Sequence, residues 1–292
     1  MIGVSGHIKL TIHRSSGIKD VYESGNTVED AISAAILARI KNDSSSYAAT
    51  AVPDKIKVTL SGDGGDSGNL AVSAEPKTFG NDLNSNAYTN SIVYNKTGIT
   101  FSSASNDTIA TVSLLNSSDT VLASKTAGSF TLMDTTDNWT ATNPTFGTTD
   151  KLDVEYTLTF THTDLGSIDG VNYNDNVKNY RDKIINNVAY GGSGYPIQIT
   201  ELHLLSGASV VSKVTTLSWA DSGTNAITTG SVTWVSVRGN KPTLIEMRDA
   251  SGGLAGVFGM GNLSNDSTAF STVDWTSRDS VQGEFRYSVA VS

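Results

Sequence analysis

The sequence predicts an all-β protein with minor helix, arranged as two tandem β-sandwich units with one short helix near the start of each. Three observations carry this. The chain is rich in Thr, Ser, Gly and Asn; short alternating segments are separated by turn residues; and one order of segments occurs twice. β-Branched Thr suits a pleated, half-exposed strand, while Gly, Asn and Ser suit tight turns.

Composition sets the frame. Hydrophobic residues make up 38% of the chain and charged residues 17%, both under the usual ~45–50% and ~25%. A length of 292 residues exceeds what one core usually serves and suits about two domains. The net charge of −9 comes without the clustered Lys and Arg that a nucleic-acid surface needs, so no nucleic-acid partner is expected. The chain has no Cys, which removes disulfide and thiolate chemistry. No apolar run reaches the ~18 residues of a membrane-spanning helix, so no membrane is expected. The start MIGVSGHIKLTIH lacks the basic and apolar regions of a signal peptide, which implies synthesis in a cytoplasm.

The elements follow in order. GHIKLTIHRSSG, from Gly6, alternates as a strand. So do DKLDVEYTLTFTHTDLG, from Asp150, and GEFRYSVAVS, from Gly283. After the first comes NTVEDAISAAILARIKNDSSSYAATAVPDKIKVTLSG, ending at Gly62. After the second comes NYNDNVKNYRDKIINNVAYGGSGYPIQITELHLLSG, ending at Gly207. Aligned on their shared ends, Thr27 meets Asn172 and Asp30 meets Asp175, a cap residue followed three later by an acid. Ile32, Ala35, Arg39 and Ile40 meet Val177, Tyr180, Ile184 and Ile185 at helical spacing. Helices are therefore expected at about 27–41 and 174–189. Ile56, Val58 and Leu60 then alternate as a strand, and Ile197 and Ile199 begin its counterpart.

The later segments match with gaps. GITFSS, from Gly98, resembles SVTWVS, from Ser231, which sets Phe101 against Trp234 and predicts a core Trp234. DTVLAS, from Asp119, resembles GGLAGV, from Gly252. TDKLDVEYTLTF, from Thr149, resembles RDSVQGEFRYSV, from Arg278, and sets Asp150 against Asp279, Glu155 against Glu284 and Tyr156 against Phe285. The stretch near residue 160 ends one unit and runs into the next. The units expected are 1–160 and 161–292, with jelly-roll or immunoglobulin-like topology. The alternating strands at 6–13 and 283–291 are expected at sheet edges, where Lys9 and Arg286 would discourage uncontrolled pairing.

Catalysis needs convergent groups with tuned pKa values, and the sequence offers no constellation of that kind. Of the four His, His7, His13, His162 and His203, the pair His13 and His162 sit at matching ends of the repeated strand and have no second His or acid at metal-ligand spacing beside them. No G-x-S-x-G elbow is present. The acids fall in turns such as DGGDSGN, Asp63 to Asn69, where a tight Gly-rich turn explains them better than Ca²⁺ or glycoside chemistry. No catalytic, cofactor-binding or metal-binding residue is expected, and no enzyme activity. Trp139 and Trp275, in polar loops, are the candidate residues for a partner or subunit contact.

LARIKNDSSSYAATAVPDKIKVTLSGDGG and IATVSLLNSSDTVLASKTAGSFTL in the first unit, with TLIEMRDASGGLAGVFGMGNL and DSVQGEFRYSVAVS in the second, give the chain a further resemblance. In their order they resemble tail-fibre-like and capsid-decorating structural proteins of tailed viruses. That resemblance implies a virion location and a structural role: a capsid decoration or turret protein, partnered by the major capsid protein or other virion proteins and assembled as a homo-oligomer, trimer or pentamer. A tail-associated adhesin binding a host-surface glycan is the alternative, and a polysaccharide-degrading virion enzyme a more distant one.

Overall fold

Alternating apolar and polar residues build the strands, and turn residues end them. In a computed structural model, the described residues are 2–41, 52–62, 64–76, 89–104, 106–126, 130–132, 140–142, 144–162, 167–168, 171–190, 197–259, 264–265, 268–269 and 279–292. They are mostly β with two helices, as the composition predicts. Up to His162 the order is β1 (Ile2–His13), β2 (Lys19–Val28), α1 (Asp30–Lys41), β3 (Pro53–Leu60), β4 (Leu70–Ala71), β5 (Ser73–Pro76), β6 (Thr89–Ile99), β7 (Asp107–Asn116), β8 (Val121–Thr126), β9 (Phe130–Leu132), β10 (Thr140–Thr142), β11 (Thr145–Phe146) and β12 (Lys151–His162). Thereafter come β13 (Ser167–Ile168), β14 (Val171–Asn172), α2 (Asn174–Tyr190), β15 (Ile199–Ser206), β16 (Ser209–Val214), β17 (Ala220–Asp221), β18 (Ala226–Val235), β19 (Leu244–Asp249), β20 (Leu254–Gly259), β21 (Ser264–Asn265), β22 (Thr268–Ala269) and β23 (Ser280–Val291).

The pairing order recurs. Neighbouring strands run β4-β3-β7-β8 in the first half and β16-β15-β19-β20 in the second, while β12 pairs with β6 as β23 pairs with β18. The β7–β8 and β19–β20 hairpins agree residue for residue, 133 positions apart. Ser113 faces Ser124 as Glu246 faces Val257, and the bulge falls between Leu114 and Leu115 as between Met247 and Arg248. The turns agree atom by atom. The Asn116 Oδ1 accepts the N–H groups of Ser118 and Thr120; the Asp249 Oδ1 accepts those of Ser251 and Gly253. Each turn needs a left-handed residue, Asp119 at φ 62° and Gly252 at φ 81°, and glycine meets that demand without a Cβ penalty.

Strand pairing corrects two of the sequence alignments. Ile56 faces Leu114, and Leu202 faces Met247. The counterpart of Ile56 is thus Leu202, one position beyond the alignment on the shared Ser-Gly ends. The loop after β3 is longer than the two-residue turn after β15, so those ends are not equivalent. Likewise Trp234 faces Val281, while Ile99 faces Leu152. Ile99 is therefore the counterpart of Trp234. Phe101 lies beyond its strand, edge-on to Phe146 at 5.2 Å. Trp234 is buried, as expected.

Both helices bury the expected faces. Ile32, Ala35, Arg39 and Ile40 are buried in α1, and Val177, Tyr180, Ile184 and Ile185 in α2. The start expected at Thr27 is corrected to Asp30, because Thr27 still faces Ser124 in a strand pair. Asp30 in the first turn of α1, and Arg39 and Lys41 in its last, suit the helix dipole. At α2 the Asn172 Oδ1 accepts the Asn174 N–H at 2.9 Å.

The helices are placed crosswise. α1 packs on β8 of its own half but also on β23 and β18. α2 packs on β20 of its own half but also on β12 and β6. These are equivalent strands, exchanged. Asparagines mark each crossing. Asn225, bonded through its carbonyl to the Val289 N–H, bonds Ser33 and Asp30 of α1. Asn90, opposite Phe160, donates to Asp182 of α2 at 3.2 Å. Arg39 of α1 bonds Asn187 of α2. One apolar cluster accordingly runs from Ile2 to Val289 through both halves.

The expectation of a sheet edge is overturned for 6–13, because β1 is flanked by β12 and β2 along these residues. For 283–291 it holds in part: β23 pairs with β18 on one side, and only residues 289–291 meet residues 2–4 of β1 on the other, so 283–288 have one unpaired side among the described residues. Their alternation reflects a sheet with unlike faces, which interior strands share with edge strands.

Candidate interaction surface

The titratable residues singled out in the sequence are dispersed. His13 and His162 sit at opposite ends of the β1–β12 ladder, since His13 faces Lys151 and His162 faces Ile2. The His13 Nε2 lies 2.7 Å from Asp153, His203 lies 2.6 Å from Glu201, and His7 lies 3.6 Å from Glu23. The buried His162 Nδ1 lies 3.3 Å from Arg181. Among the described residues no three His, Cys, Asp or Glu side chains gather as metal ligands. The Asp66 carboxylate accepts the Gly68 N–H at 2.9 Å and pairs with Lys57 at 2.9 Å. Those contacts hold its pKa below the usual carboxylate range and make it a turn residue. Asp63, Trp139 and Trp275 lie outside the described residues.

Arg14 ties strand ends together. It donates to Asp20 at 2.6 Å, to Asp150 at 2.7 Å and to the Thr145 carbonyl at 2.9 Å. Burial pushes the Asp150 pKa up, but the bonds from Arg14 and the Gly147 N–H outweigh it and hold the carboxyl below its ordinary value. A depressed folded pKa contributes stability that is present above the unfolded value of about 3.9 and lost as pH falls through the folded one. Thermal unfolding of Asp150→Asn should therefore lose less stability than wild type between about pH 5 and pH 2. Equal acid slopes in the two proteins would contradict this role.

Two concave surfaces stand out among the described residues. The first is a polar groove of about 370 Å³ where β2 leaves β1 and β23 arrives, lined by Ser5, Asn26, Thr27, Ser124, Lys125 and Ser292 among others. The Asn26 amide lies over Gly6, where any Cβ would come within 2.3 Å of it. Its Nδ2 donates to the Tyr156 Oη at 2.7 Å. Burial raises the Tyr156 pKa far above the ordinary phenol value, so this phenol stays protonated. The buried Asn26 Oδ1 has no hydrogen-bond partner among the described residues. No sequence pattern marks this groove, because its residues come from four separate segments.

The second surface is a gap between sheets in the second half. In the first half the β1–β2 hairpin lies between β12 and β8. β1 pairs along the whole of β12, and β2 pairs first with β1 and then, through Thr27 and Val28, with Ser124 and Ala123 of β8. The equivalent strands of the second half, β23 and β20, are not bridged in this way. Among the described residues β20 pairs only with β19, and residues 286–288 of β23 pair only with β18. Between them lies a largely apolar cavity of about 240 Å³, with Ile2, Val177, Met247, Gly256, Val257 and Tyr287 in its lining. Gly256 and Val257 are the counterparts of Ala123 and Ser124.

No family model, no curated protein and no solved structure matches this chain.

Proposed function

We propose that this chain is a non-enzymatic structural protein of a tailed-virus particle: a capsid decoration or turret, built from two tandem copies of one β-sandwich unit over residues 1–160 and 161–292. The observation that carries the reading is the atomic recurrence of the β7–β8 hairpin in β19–β20, with both helices exchanged into one core. A duplicated, interlocked β scaffold suits a load-bearing surface protein. The resemblance of the segment order to decorating and tail-fibre-like proteins is what favours a virion location. On this reading the chain assembles as a trimer or pentamer on the major capsid protein, through polar interfaces that leave no large apolar patch on the free subunit. Electron cryomicroscopy of the particle tests it. Density for this β scaffold at capsid faces or vertices is expected, and density confined to the tail tip would contradict it.

The groove at Asn26 favours a second reading, a glycan-binding adhesin. Its hydroxyls, its amide and the Lys125 ammonium are groups that bond sugar hydroxyls. Binding to immobilised host glycans, lost in Lys125→Ala, would favour the adhesin over the decoration.

A further inference from the structure

We propose that the gap between β20 and β23 is a strand-docking slot, filled by an extended segment from a second copy of this chain. The inference rests on the homo-oligomeric reading above.

Internal equivalence identifies the slot as a place for a strand. Residues 157–159 of β12 pair with residues 5–7 of β1, and Ala123 and Ser124 of β8 pair with β2. At the corresponding positions, residues 286–288 and Gly256 and Val257, no third strand is paired among the described residues. Strand counting explains the difference. β12 closes the first half, and its sequence also resembles the opening strand β1. Among the described residues the second half therefore shows no long hairpin of its own between β23 and β20. Only residues 2–4 of β1 reach in, parallel to residues 289–291. Two strand edges left unpaired among the described residues, facing one apolar cavity, suit β-augmentation, in which main-chain bonds give affinity and side-chain pockets give register.

Charge and shape narrow the occupant. Arg286 lines the slot and is exposed; it forms no ion pair among the described residues, and no acid shares the described lining. The strand it fits carries a carboxylate. Of the two strands that fill the equivalent position in the first half, β1 beside β12 and β2 beside β8, the acidic one is β2, KDVYESGNTV, which carries Asp20 and Glu23 and turns Val28 into the core. With 29 acidic against 20 basic residues, the chain is itself a ready source of acidic strands.

Two substitutions address the slot without breaking the fold. A Cβ at Gly256 meets only Met247, at 3.7 Å from its Sδ and 3.9 Å from its Cβ, which is ordinary contact. Gly256→Leu therefore fills the slot from within. Arg286→Glu reverses the charge on an exposed side chain.

The experiment uses the full chain with a fluorescent peptide of sequence KDVYESGNTV, its scrambled control, and hydrogen exchange followed through self-association. Wild type should bind the peptide saturably and the control not at all. Binding should weaken at least tenfold in Gly256→Leu and in Arg286→Glu. Amides of residues 254–259 and 286–288 should exchange more slowly in the wild-type oligomer than in the monomer. Equal peptide binding by all three proteins would overturn the proposal. So would equal exchange in monomer and oligomer, or protection that arises only when another virion protein is added. Peptide capture and slot protection in a chain that imaging does not find on a particle would uphold the slot while removing the virion reading. Capsid density with an unprotected slot would do the reverse.

Discussion

Replacing Trp234 by alanine is expected to destabilise the whole chain, not only its second half, by about 3–5 kcal/mol. The indole is 1% exposed. It stands edge-on to Phe285 at 5.5 Å and donates its N–H to the Leu202 carbonyl at 3.1 Å. It thus joins the β18–β23 pair to the β15 sheet. Truncation opens a cavity and breaks the hydrogen bond between layers. Because α1 packs on β18 and β23, the damage reaches a helix of the first half. Trp234→Phe, which keeps most of the ring, should cost less than half as much. Chemical denaturation checks both: the midpoint should fall for Trp234→Ala with little change in slope.

Replacing Asp249 by alanine should cost about 3 kcal/mol, and by asparagine about 1 kcal/mol. The carboxylate is fully buried. One oxygen accepts the Ser251 and Gly253 N–H groups and the Ser251 hydroxyl; the other meets the Lys183 Nζ at 2.5 Å. Alanine strands buried donors in the turn, whereas Lys183 is partly exposed and can turn to water. Asparagine is what the first half already uses. Asn116 makes the same turn through its amide oxygen, so Asp249→Asn keeps the turn and loses only the ion pair. Urea unfolding of the two variants gives the ratio directly. Equal losses would show that the turn bonds are not what the carboxylate supplies.

The β class and both helices were legible because local pattern controls them. Ile32, Ile36 and Ile40 bury one stripe, and that stripe is visible as spacing alone. Helix ends and alignments were less legible. Thr27 has the chemistry of a cap, but pairing with Ser124 keeps it in a strand. The one-residue error at Leu202 and the two-residue error at Trp234 came from aligning glycine turns and bulges, which shift without disturbing a ladder. Gly98 and Gly230 both adopt positive φ within the same kind of strand, but at different ladder positions. The crosswise helices left no trace in the sequence, because an apolar stripe does not say which sheet it covers. The same limit hid the polar groove, the strand slot and the interior placement of β1. All four depend on which distant segments meet, and alternation looks alike on either side of a sheet.

Helices packed crosswise join the two halves of the chain into a single core. Differential scanning calorimetry of Trp234→Ala tests it most directly. One transition is expected, its calorimetric enthalpy equal to the van't Hoff value, displaced as a whole by roughly 5–8 °C below wild type. Two separated transitions, one of them still at the wild-type temperature, would show that the halves unfold independently and would contradict it.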